Sequence, residues 1–176
     1  MSKISKIVWI ALGLIALFVC GMAMRRMVLQ TQFRSQGAEI PFSMESALEF
    51  RLVRMLLETG RLPDWDFNIQ APQGISTRAT YTVGAEYLYA GAAKLLPRGM
   101  SLESKVRWIA LAWFCLGIPL LALWVGVWLR SGWAAAFAGL YYAVSLAAVI
   151  RSTGQELSHE NYALPWLIAW LGLQAW

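Results

Sequence analysis

The sequence is poor in charge. Asp, Glu, Lys and Arg make up 14% of its 176 residues, against roughly 25% in an ordinary soluble domain. With 59% hydrophobic residues and ten tryptophans, too little polar surface remains to cover an apolar interior, which excludes a soluble enzyme and a disordered tail. The two cysteines, Cys20 and Cys115, both sit in apolar runs, so neither a disulfide scaffold nor a thiolate metal site is indicated. His159 is the only histidine. The net charge is +5, yet no basic cluster exceeds the pair Arg25-Arg26, which excludes a stripe that tracks nucleic-acid phosphates. What is present is the pattern of an integral membrane protein.

Charge is divided along the chain. Residues 1–106 hold twelve Lys/Arg and eight Asp/Glu, whereas residues 108–150 hold Arg130 alone. The first apolar run, residues 7–24, lies between Lys3/Lys6 and Arg25-Arg26 and gives about 27 Å of helix, enough to cross hydrocarbon. No Ala-x-Ala cleavage site follows it, so it reads as an uncleaved anchor. Two further spans are expected over residues 108–129 and 133–150, the latter rich in Ala and Gly that let helices approach closely. A fourth apolar run covers 162–176. It is shorter than a full crossing, which reads as the start of a membrane helix in the N-terminal fragment of a larger protein. The expected fold is an all-α polytopic membrane protein.

Between the first two spans, residues 27–106 form a long external loop, and loops of that length are usually functional. Within it Ser43 can cap a surface helix over residues 44–58, closed by Thr59-Gly60, with Met44, Leu48, Leu52, Met55 and Leu56 on one apolar stripe. Residues 80–96 are apolar but carry Glu86 and Lys94. A mid-bilayer charge costs about 2.5–3.5 kcal/mol, so an interfacial or protein-buried helix is expected there. That choice puts Arg130 on the cytoplasmic side with Lys3 and Lys6, as the positive-inside tendency prefers, and Arg25-Arg26 outside, against it. Residues 151–161 then form a second external loop.

Glu45 and Glu49 stand four residues apart on the first surface helix. They can share a cation, or one can act on a substrate nitrogen or hydroxyl. Glu45 also has a plain explanation, because a carboxylate in a first turn is favoured by the helix dipole. The polar stretch Arg151 to Asn161, taken alone, says only that an external loop is present.

These residues carry a resemblance. Glu45-Ser-Ala-Leu-Glu-Phe-Arg51, followed by Arg54 and Gly60, resembles the first-loop motif Asp-Pro-Tyr-Phe-Asn-Tyr-Arg of oligosaccharyltransferase catalytic subunits, members of the GT-C superfamily of membrane glycosyltransferases. Pro72-Gln73-Gly74 resembles that family's Tyr-Pro-x-Gly element, and Arg151-Ser152 with Ser158-His159-Glu160 resembles its second acidic motif. The likeness extends in order over nearly the whole chain. It implies a GT-C-like N-terminal transmembrane portion with a cytoplasmic N-terminus and an active external face. It further implies transfer of a glycan from a polyprenyl-(di)phosphate donor to a protein asparagine. Glu45, Glu160 and Arg151 would then be catalytic, and Glu45, Ser158, His159 and Glu160 would surround Mg²⁺ or Mn²⁺. The implied partners are a polyprenyl-linked sugar donor, a peptide or glycan acceptor and membrane lipid, with no nucleic acid.

Two departures stand out. Glu45 replaces an aspartate, and Ser158 replaces the first acid of the second motif, so His159 would have to serve as a nitrogen ligand. The family's later external-loop glutamate and soluble domain have no counterpart in these residues, so the stretch alone is expected to be inactive. A related enzyme using a polyprenyl-phosphate monosaccharide needs one carboxylate base and no metal, which suits Ser158. A non-catalytic membrane subunit is the third reading.

Overall fold

Leu, Ile, Ala, Val and Met dominate the N-terminal run, and they form one helix, α1 (Lys3–Gln32), capped by Ser2 Oγ accepting the Ser5 N–H at 3.2 Å. The computed structural model describes residues 2–34, 41–42 and 44–174. Within them follow α2 (Met44–Thr59), a two-stranded antiparallel ribbon of β1 (Trp65–Asp66) and β2 (Ile75–Ser76), α3 (Thr77–Thr80) and α4 (Gly84–Ala93). The second half comprises α5 (Leu102–Cys115), α6 (Gly117–Trp128), α7 (Gly132–Val144), α8 (Leu146–Arg151) and α9 (His159–Gln174). The chain is mostly helical. Two helices are long and apolar enough to cross a membrane: Ile4–Gln32, and Leu102–Trp128, where α5 and α6 run on through Leu116 in αR geometry.

Three expectations change at the element level. The helix does not stop at Arg25-Arg26; it continues to Gln32, some 45 Å in all. Arg25 is fully buried, its guanidinium donating to Ser152 Oγ at 2.7 Å, Gly21 O at 3.1 Å and Ala143 O at 3.0 Å. Residues 133–150 are not one helix either, because the chain turns extended at Ser145 and divides into α7 and α8. That break frees the Ala143 carbonyl from its helical partner, and Arg25 supplies the replacement donor. The fourth run begins earlier than expected, at His159, and its last two residues lie outside those described, as does the Ser43 cap.

Small residues set the helix spacing. A Cβ on Gly139 would sit 2.6 Å from Leu17 Cδ1 and 3.1 Å from Ala122 Cβ, so α7 packs against both α1 and α6 only with glycine there. One apolar core (Cys115, Ile118 and Ala143, with Leu17 and Met22) joins these helices. A second lies beside the polar loops: Phe50, Leu52, Val53 and Leu56 of α2 meet Ala85, Tyr89 and Ala90 of α4 and Val106 and Ala110 of α5. The stripe predicted for α2 is therefore rotated, with Met44 91% exposed and Phe50 and Val53 inside. This face packs on α4 and α5. Helix α4 lies within residues 80–96, where an interfacial or protein-buried helix is expected; it buries Ala85, Glu86, Tyr89, Ala90 and Ala93, leaves Tyr87 exposed, and its ten residues cover only about 15 Å.

Candidate functional site

The loop between α8 and α9 is held against the start of α2 and against α5 by hydrogen bonds from its backbone and through the Gln155 side chain. Leu157 N–H donates to Ser46 Oγ at 2.9 Å, Gln155 Nε2 to Pro41 O at 2.7 Å, and Arg107 Nη2 to Gln155 Oε1 at 3.0 Å. Gly154 adopts φ +83° and would place a Cβ 2.7 Å from Arg107 O, so only glycine lets the loop press onto α5 here. Asn161 closes the loop, donating from Nδ2 to Arg151 O at 2.6 Å and from its N–H to Ser158 Oγ at 3.2 Å. The result is a groove of about 700 Å³ whose walls include Glu45, Arg151, Ser158 and Glu160. Glu45 stands 106 positions or more from the other three in sequence, and all four share one opening.

A second cavity, of about 410 Å³, adjoins the first at Phe33, which lines both. It lies where the end of α1 meets α5, and its walls carry Arg26, Arg34 and Arg107 together with Trp108. The Arg26 guanidinium lies 5.2 Å above the Trp108 ring and that of Arg107 5.0 Å above Phe42. Aromatic faces attract cations placed over them in this way. One chamber is thus basic and the next acidic. Such an arrangement can hold an anion beside a proton acceptor.

Behind the groove lies a third group. Glu49, on the turn of α2 after Glu45, faces His159, with Oε1 and Nε2 3.5 Å apart. Glu86 of α4 joins them, and ligand atoms of all three lie within 4.8 Å of one another. Burial, followed by the charges of Glu86, Glu45 and Glu160, pushes Glu49 up to about 8. Burial likewise raises Glu86, which is 1% exposed. Glu160 behaves oppositely. It is exposed, and its own backbone N–H and the Ser158 hydroxyl hold it below the usual carboxylate range.

The sequence-predicted residues therefore separate into two sets. Glu45, Arg151, Ser158 and Glu160 line the groove, while His159 turns inward to Glu49 and Glu86. A groove cation would find three exposed carboxylates, Glu45, Glu156 and Glu160, and a hydroxyl already engaged with the Asn161 N–H and Glu160. Carboxylate oxygens with water are the donors that Mg²⁺ or Mn²⁺ accepts. Sequence reasoning missed Glu86 as a site residue, although a glutamate among Gly, Ala and Tyr on a short apolar helix is a visible signal. It also missed the three arginines, which come together only in the fold. Elsewhere on α2, Arg51 grips Asp66 with both nitrogens, at 2.5 and 3.1 Å, and so fixes the ribbon to the helix. Comparison with known protein families, curated proteins and solved structures gave no significant match.

Proposed function

We propose that this chain belongs to a multi-pass membrane glycosyltransferase of the oligosaccharyltransferase type, working at the external membrane face. In this reading a glycan passes from a polyprenyl-(di)phosphate donor to a protein asparagine. The observation that carries it is the pair of adjoining cavities beside the end of a membrane-length helix: three arginines in one, Glu45 and Glu160 in the other. Outward-facing aromatics on the shorter helices, Trp133, Phe137, Trp166 and Trp170, support further membrane crossings by α7–α8 and α9, since a soluble protein rarely exposes so much apolar surface.

The chemistry follows from charge. A lipid-linked donor enters beside α1 with its phosphate against Arg26, Arg34 and Arg107, whose forked donors match phosphate oxygens. The acceptor lies in the acidic groove. Its nucleophile attacks the anomeric carbon, the bond from that carbon to the phosphate oxygen breaks, and the departing phosphate keeps the electron pair. Arg151 and the arginine chamber stabilise the charge that develops on it. Glu45 accepts the proton lost by the nucleophile. Each of these steps is carried by the chain's own side chains.

A second reading has its own support. Ser158 stands where the resemblance puts an acid, and His159 faces away, which leaves the groove with a simple carboxylate base. That suits a polyprenyl-phosphate monosaccharide donor and a lipid or glycan acceptor. The test is transfer of labelled sugar by the full-length protein in membrane vesicles, supplied in turn with a polyprenyl-diphosphate oligosaccharide plus acceptor peptide and with a polyprenyl-phosphate monosaccharide. Transfer that is lost in Glu45→Gln at normal expression supports the groove, and the donor consumed selects the reading. Turnover unchanged by Glu45→Gln would defeat both.

A further inference from the structure

The carboxylates behind the groove are not needed for the transfer just described, and their surroundings are unusual. Glu86 is 1% exposed and neither of its oxygens has a hydrogen-bond partner in another residue. Buried carboxylates are ordinarily paired or fully hydrogen-bonded. Among the described residues, the ion pair formed by Glu49 is with His159, and no Lys or Arg reaches Glu49 or Glu86. We propose that Glu49, Glu86 and His159 form a binding site for a divalent transition-metal ion, zinc by preference, which ties α2, α4 and α9 together beneath the groove.

The geometry suits such an ion. Metal–ligand distances of about 2.0–2.2 Å give neighbouring ligands of a tetrahedral zinc a separation of about 3.4 Å. The His159 Nε2 to Glu49 Oε1 distance is 3.5 Å. A ligand oxygen of Glu86 lies within 4.8 Å of the other two ligand atoms. Access is available, since the side chains of His159 and Glu49 are 40% and 13% exposed. An ion can enter past His159, and water can complete the coordination.

The donor set narrows the metal. One imidazole with two carboxylates is a borderline set, and the order of divalent affinities places zinc above manganese. Magnesium asks for oxygen ligands and keeps several waters, for which a site closed by Glu86 and an imidazole is ill suited. Thiolate-seeking ions are excluded, since Cys115 lies in the other core with Ile118 and Ala143. Zinc would replace the protons that burial otherwise forces onto the carboxylates. Its place is structural: Glu45 and Glu160 adjoin Glu49 and His159 on the same two helices, so the ion fixes the distance between the walls of the groove.

The test uses the full chain in detergent, loaded with Zn²⁺ and desalted, with metal content read by mass spectrometry and unfolding followed by heat. About one equivalent should remain on the wild type, Glu86→Gln should retain only background, and Zn²⁺ but not Mg²⁺ should raise the wild-type Tm by several degrees. Since Glu86→Gln can affect folding, the exposed-side variant His159→Gln provides the second arm, and Co²⁺ substitution should give visible absorption in the wild type that His159→Gln loses. Wild-type zinc no higher than in Glu86→Gln, or an equal rise in Tm with Zn²⁺ in wild type and His159→Gln, would overturn the proposal. Neither readout involves sugar transfer, so the site and the glycosyltransferase reading can fail separately.

Discussion

Glu45 and Glu49 stand one turn apart on α2, yet they belong to different regions. Glu45 is exposed on the groove, where Glu160 is held ionised by the Ser158 hydroxyl and a backbone N–H. Glu49 faces Glu86 and His159 in a half-buried setting, where burial raises both glutamates. The difference between these regions is one of hydration. Carboxylates open to water are within reach of a substrate, whereas carboxylates removed from water need a proton or a cation to remain there. The same residue type therefore suits chemistry on one side of the helix and structure on the other.

The largest effect expected is on activity. Replacing Glu45 by Gln in the full-length protein should lower sugar transfer by at least about 100-fold, the usual contribution of a positioned base, with folding unchanged by circular dichroism. A second substitution should damage both regions at once. Arg25→Ala leaves the Ala143 carbonyl and Ser152 hydroxyl without their donor at the junction of α1 with α7 and α8. The Ser152 hydroxyl keeps its bond to the Ala148 carbonyl, but the orphaned Ala143 carbonyl costs about 1–3 kcal/mol, so heat should unfold this variant below the wild type, and groove and inner cluster should be lost together. Retention of either one alone would show that the membrane-side frame does not support both.

The smallest effect is expected away from both regions. Asp66 is held below its ordinary range chiefly by the Arg51 hydrogen bonds, so this pair stabilises the fold above the unfolded carboxyl value and loses that contribution as pH falls. Asp66→Asn should lower Tm at neutral pH by a few degrees, about 2–4 °C per kcal/mol for a chain of this size. The gap from wild type should persist down to pH 5 and close below about pH 3.8, the carboxyl's ordinary value. Sugar transfer per folded molecule should not change, and a loss of transfer would extend the groove's influence to the ribbon.

Much of the helical layout is legible in the sequence because it rests on local pattern. The apolar runs of α1 and of α5–α6 are long and uniform, and the Ser-to-Gly segment of α2 begins and ends with ordinary helix signals. The break at Ser145 is not legible, since the donor that compensates for it, Arg25, lies 118 residues from Ala143. Buried Arg25 also reads in the sequence as a flanking charge, although the helix runs on past it to Gln32. The groove can be traced from motifs at Glu45 and at Ser158 to Glu160. The inner cluster cannot, because its members come from three helices. His159 shows the physical reason most clearly: it sits between Ser158 and Glu160 in sequence, but each helical residue turns by about 100°, so the neighbours face the groove while the imidazole faces Glu49.

The division between the two acidic regions can be measured in one side-by-side experiment: the zinc content of Glu45→Gln and Glu86→Gln, prepared identically as full chains in detergent. We expect about one equivalent on Glu45→Gln and background on Glu86→Gln. Equal zinc on the two variants would mean that the carboxylates of α2 and α4 do not form a site distinct from the groove, and the separation drawn between chemistry and structure would fail.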